Sequence, residues 1–151
     1  MMQEYQNILI PVDGSKEAEV AFEKAVATAK RNNAHLDLLN IIDTRTMAYN
    51  FAGLSASGIA YELVEKSTEY LNELAKQAKD QFGFENLDIH VRMGNPKTVI
   101  ATEFVANHHN DLIMIGASGM TRFQRAMIGS TTSYVKRVAP VDVLVVRTPV
   151  D

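Results

Sequence analysis

Three short segments carry residue types suited to holding a polyphosphate. Gly116-Ala117-Ser118-Gly119 is followed, after residues 120–128, by Gly129-Ser130-Thr131-Thr132. Phosphate oxygens accept backbone N–H groups at close range, and side chains at Gly116, Gly119 or Gly129 would obstruct that approach. They also favour the start of a helix, where four N–H groups lack internal partners and the dipole is positive. Gly129 to Thr132 opening a helix offers both, with hydroxyls added. The third segment, Pro11-Val12-Asp13-Gly14-Ser15, brings a carboxylate. Asp13 can accept hydrogen bonds from ribose hydroxyls, and Arg122 and Arg125, between the glycines, can reach phosphate. Each feature also has a structural reading: Gly116 and Gly119 as a turn, Ser130 as an N-cap, Asp13 as a cap of the first helix.

Other chemistries find less support. The chain has no cysteine, so disulfides, thiolate metal sites and thiol catalysis are excluded. There is no Gly-Lys-Ser/Thr of the P-loop kind, and no Gly-x-Gly-x-x-Gly follows the first strand. His35 and His90 stand isolated in sequence and read as surface or strand-edge residues. His108-His109 falls at an expected helix end, where imidazoles suit the negative dipole. No nucleophile–base pair can be argued, because Ser15 is better explained as a cap.

The elements that must position the three segments follow from hydrophobic pattern. Asn7 to Asp13 and Asp111 to Gly116 are nearly unbroken apolar runs, the pattern of strands buried on both faces of a parallel sheet. His35 to Ile42 reads as a strand. Leu87, Ile89 and Val91 alternate with Asp88, His90 and Arg92, as in a half-exposed strand, and the last strand is Val141 to Arg147. Helices fill the gaps: Ser15, with Glu17 and Glu19, opens one that carries Val20, Phe22, Val26 and Ala29 and stops at Asn32-Asn33. Another runs from about Tyr61 to Gln81 with Leu63, Tyr70, Leu71, Leu74 and Ala78 on one face, halted by Gly83. Pro96 starts a third with Val99, Ile100, Phe104 and Val105, and a fourth opens at Ser130 and ends near Ala139-Pro140. Residues 43–59 have no clean period and read as a loop with room for a helical turn. Five alternations of strand and helix predict a single domain built on a doubly wound parallel sheet with right-handed crossovers. Ligands in such sheets bind beyond the carboxyl ends of the strands, where strand order reverses.

At 151 residues, 46% hydrophobic and 22% charged, the chain is long enough for one sizeable core. Its net charge of −3 argues against a nucleic-acid or anionic-membrane surface as its main role. No stretch approaches the roughly 20 apolar residues of a membrane helix, and no signal-peptide core opens the chain, so a cytoplasmic location is the expectation.

Taken together, Gly116, Gly119, Gly129 and Ser130 resemble the ATP-binding signature of the universal stress protein family, Gly-two residues-Gly-nine residues-Gly-Ser. Ile8-Leu9-Ile10-Pro11-Val12-Asp13-Gly14-Ser15 is similar to that family's first strand. Leu38-Leu39-Asn40-Ile41-Ile42-Asp43 resembles its second, and Met93-Gly94-Asn95-Pro96 resembles the turn before its third long helix. The resemblance implies a Rossmann-type three-layer sandwich of the adenine nucleotide alpha-hydrolase-like kind, with strand order 3-2-1-4-5. It implies ATP as ligand, with Mg²⁺ on the phosphates. Asp13 would bind ribose, Pro11 and Val12 would line the site, and the Ile41 backbone would meet adenine. Gly116, Gly119, Gly129, Ser130 and Thr131 would hold phosphates. Ala117-Ser118 departs from the residues more usual between the first two glycines, which bears on side-chain roles there and leaves the glycine geometry untouched.

The expected function is a nucleotide-binding regulator or sensor in a stress response. A slow ATP hydrolase or nucleotide transferase, and a non-nucleotide dimeric interaction module, are the alternatives. In the expected order the fifth strand lies at a sheet edge, yet Val143-Leu144-Val145-Val146 is continuously apolar. An unprotected apolar edge invites pairing, so a homodimer through Val141 to Arg147 is expected.

Overall fold

The computed structural model describes residues 4–45, 56–118 and 128–149. Its strands are β1 (Asn7–Pro11), β2 (His35–Asp43), β3 (Leu87–Gly94), β4 (Leu112–Gly116) and β5 (Asp142–Val146). Helices α1 (Lys16–Asn32), α2 (Ala56–Phe82) and α4 (Ser130–Val138) are regular. A composite helix α3 runs through Pro96–Thr98, Val99–Glu103 and Phe104–His108. All strand pairs are parallel, in the order β3-β2-β1-β4-β5. The doubly wound architecture expected from the alternating pattern is therefore the one observed.

The apolar runs of β1 and β4 are continuous because both faces are covered. Successive side chains point to opposite faces, and the two cores divide accordingly. Ile8, Ile10, Leu36, Leu38, Leu112 and Met114 pack against Phe22 and Val26 of α1 and Leu71 and Leu74 of α2. Leu9, Leu39, Ile113 and Ile115 pack on the other face against Ile100, Phe104 and Val105 of α3 and Val135 of α4. Each such side chain, fully buried, contributes roughly 1.5–3 kcal/mol.

Helix ends obey local chemistry. Ser15 Oγ accepts from the Ala18 N–H and caps α1, while Asn33 closes it in the left-handed conformation. Behind α2 the Gly83 N–H reaches Lys79 O and the Phe84 N–H reaches Ala78 O, a glycine-terminated end. Asn95 caps α3 ahead of Pro96, with its side chain accepting from the Lys97 N–H.

Two elements depart from the sequence pattern. Helix α2 begins at Ala56 rather than near Tyr61, because half-buried Ile59, Ala60 and Leu63 extend its packed face by a turn. Residues 46–55 of the expected loop lie outside the described residues. Helix α3 carries a wider π turn at Val99–Glu103, which buries Val99, Ile100 and Ala101 together.

Candidate functional site

At the carboxyl ends of the strands, order reverses between β1 and β4, and a crevice of about 540 Å³ opens there. That volume falls in the range of small-molecule sites. Pro11, Val12 and Asp13 line it from β1 and the following turn, and Ile41 from β2. Gly116 comes from the end of β4, and Gly129, Ser130 and Thr131 from the start of α4. Gly119, Arg122 and Arg125 lie outside the described residues.

The glycine segments meet through two bonds. The Gly129 N–H donates to Ala117 O at 2.8 Å, and the buried Thr132 hydroxyl donates to Gly116 O at 2.7 Å. Between them they close the connection from β4 to α4 at its base. Gly129, the N-cap of α4, has no side chain to cap the helix, so this end of the dipole faces the crevice without one.

Gly116 has a further reason to be glycine. A Cβ there would stand 3.1 Å from the backbone oxygen of Glu17 and 3.4 Å from that of Ser118. Its smallness thus lets the first turn of α1 press onto the end of β4. Gly14, at φ +87°, occupies the left-handed region that the turn between β1 and α1 requires.

Asp13 is exposed at the mouth. Its Oδ1 accepts the Ser15 N–H at 3.0 Å, which folds the turn and aims the carboxyl group; Ser15, not Asp13, caps the helix. From beneath, Asn40 donates to Val12 O at 2.7 Å and accepts from the Ser67 hydroxyl at 2.6 Å, pinning the end of β1 to α2. Tyr70 of α2 approaches the same turn from behind. Burial, reinforced by the Glu19 and Asp13 carboxylates, pushes its hydroxyl up to about 12, against the pull of the Gly14 backbone.

Asp43, Pro96, Ile100, Ile115 and Ser118 also line the crevice, and pattern reading did not single them out. Asp43 had a usable signal as the last residue of β2, since strand carboxyl ends carry sites in this architecture. Its carboxylate is held by Arg45 at 3.0 Å. Pro96 and Ile100 had none, because only the packing of α3 over the sheet turns them inward. The described lining thus combines an apolar wall, two carboxylates at the rim and a helix start, with no Lys or Arg among the described lining residues.

The family model described as the universal stress protein family matches residues 4–147. A putative universal stress protein of Staphylococcus epidermidis is 43% identical over 150 residues, covering 97% of this chain and 87% of that protein. Among solved structures, the universal stress protein UspA from Lactobacillus plantarum superposes with a TM-score of 0.75 at 32% identity, covering 97% of this chain and 100% of that one. A universal stress protein in complex with cAMP superposes with a TM-score of 0.75 at 22% identity, covering 97% and 100% of the two chains.

Proposed function

From the premise that the chain belongs to the universal stress protein family, we propose that it binds ATP in the crevice between β1 and β4 and acts as a regulatory or sensor module. The observation that carries this reading is the convergence of Asp13, Gly116 and the uncapped start of α4 on one crevice at the switch point. Adenine lies against the apolar wall of Val12, Ile41 and Ile100, taking its polar contacts from the Ile41 backbone. Asp13 accepts from ribose hydroxyls. Gly116, Gly129, Ser130 and Thr131 hold the phosphates, joined by Gly119. Backbone N–H groups, the α4 dipole, a bound Mg²⁺ and the expected Arg122 and Arg125 share the phosphate charge. Binding of cAMP by a universal stress protein of this fold supports the adenine nucleotide class.

Nucleotide occupancy orders the surface around the crevice and changes what partners meet. As a binder of ATP the chain belongs in the cytoplasm, and no described helix is long and apolar enough to cross a membrane. The reading includes a homodimer through Val141 to Arg147, supported by the position of β5 at the sheet edge and by Leu144, 40% exposed on it. Leu144→Glu would then yield a monomer by light scattering at micromolar concentration.

Native mass spectrometry of freshly purified protein tests the nucleotide directly: adenine nucleotide should co-purify. Gly129→Leu should abolish ATP binding in a domain that still melts cooperatively, and retained affinity would refute the phosphate assignment. Sustained turnover on the order of 1 per second or faster would replace binding with catalysis as the function.

A further inference from the structure

At the opposite, amino-terminal end of the sheet, residues far apart in sequence meet on the face covered by α3. The histidines that read as isolated are not isolated. Strand β2 begins His35-Leu36-Asp37 and β3 carries Asp88-Ile89-His90. The register pairs Asp37 with Asp88. Since alternate residues share a face, each strand puts one imidazole and one carboxylate on the same side. Asp37 is buried, its side chain 5% exposed, whereas Asp88 is 71% and His35 26% exposed.

Contacts within the group are close. The His35 ring lies between the two acids, Nε2 at 2.8 Å from Asp88 Oδ2 and Nδ1 at 3.7 Å from Asp37 Oδ1. His90 Nε2 donates to Asp37 Oδ1 at 2.8 Å, and buried Asn110 donates to Asp37 Oδ2 at 2.9 Å. His90 is itself wedged against the rings of Phe104 and His108 of α3. Asp37 is therefore held from behind by two donors. The Asn110 amide oxygen, buried beside it, accepts no hydrogen bond among the described residues.

We propose that His35, Asp37 and Asp88 form a binding site for a divalent transition-metal ion of the zinc class, clipping β2 to β3. Ligand atoms of these three residues lie within 4.8 Å of one another. A tetrahedral ion with donors at about 2.0–2.2 Å needs them about 3.4 Å apart. His35 and Asp88, both reachable by solvent, can close that gap, while Asp37 stays fixed by His90 and Asn110 as an outer shell fixes a ligand. The two carboxylates together match the charge of a dipositive ion. Nitrogen and oxygen donors without sulfur select zinc-like ions over softer ones. The fourth position opens to water beside exposed Asp88. The site is separate from the crevice, lying at the other end of the strands.

Zinc chloride titrated calorimetrically into the full chain, stripped with EDTA and free of nucleotide, tests the site. One equivalent should bind at micromolar strength, and zinc should raise the melting temperature. His35→Gln and Asp88→Asn, at partly exposed positions that spare the fold, should each weaken binding by about tenfold or more and remove the thermal shift. Histidine ring NMR resonances of His35 should move on zinc addition while those of His109 stay. Binding weaker than about 100 μM in the wild type, binding undiminished in either variant, or an unmoved His35 resonance would each overturn the proposal.

Discussion

The two ends of this sheet are built by different means. Around the crevice the work falls to backbone: a glycine that admits α1, a left-handed turn at Gly14, an uncapped helix start at Gly129. At the amino-terminal end of β2 and β3 it falls to side chains, with Asp37 surrounded by His90, Asn110 and His35. Burial alone would raise the Asp37 carboxyl, but those hydrogen bonds and the neighbouring His35 outweigh it and hold the group below the usual carboxylate range. The contrast teaches which kind of change each region resists. A region made of backbone is damaged by adding atoms, and one made of side chains by removing them.

Substitutions can break that comparison. Asp37→Ala strips the buried partners of His90 and Asn110, so it should cost about 3 kcal/mol in urea unfolding while a folded fraction keeps its nucleotide affinity. Gly116→Val should cost about 1–3 kcal/mol through overpacking against the Glu17 backbone and, unlike Asp37→Ala, should also lower nucleotide affinity. At the same crevice, removing atoms should matter less: Ser130→Ala should change affinity by about 1 kcal/mol or below in a titration. Equal losses from Gly116→Val and Ser130→Ala would erase the distinction.

A further effect, beneath the crevice, shows only at alkaline pH. The Tyr70 pKa is raised from 10.0 to about 12 in the folded chain, so folding favours its neutral form. Its contribution to stability is present below pH 10 and fades as pH climbs towards 12. Ultraviolet titration should find a tyrosine ionising near pH 12, and Tyr70→Phe should remove that component while leaving the upward shift of Tyr5, which its hydrogen bond to Asp142 raises. The same variant should flatten this part of the alkaline stability profile.

What local pattern could show, it showed with few errors. Ser15, Gly83 and Pro96 mark helix boundaries because caps and stops act over three or four residues. The apolar runs of β1 and β4 marked strands covered on both sides because period and composition are local too. The family resemblance rested on glycines close enough in sequence to be read as one motif. Of the residues it pointed to, Pro11, Val12, Asp13, Ile41, Gly116, Gly129, Ser130 and Thr131 gather around one crevice, while Gly119 lies outside the described residues.

Tertiary structure alone decided the rest. His35 and His90 reach Asp88 and Asp37 across 53 residues of sequence, and a one-residue slip in the β2–β3 register would send them to opposite faces. Pro96 and Ile100 enter the crevice only because α3 lies over the sheet. The closeness that makes Gly116 intolerant of a Cβ exists only once α1 has docked on β4. Periodicity and caps are written within a few residues of one another, whereas register and helix docking are set by contacts that no short window contains.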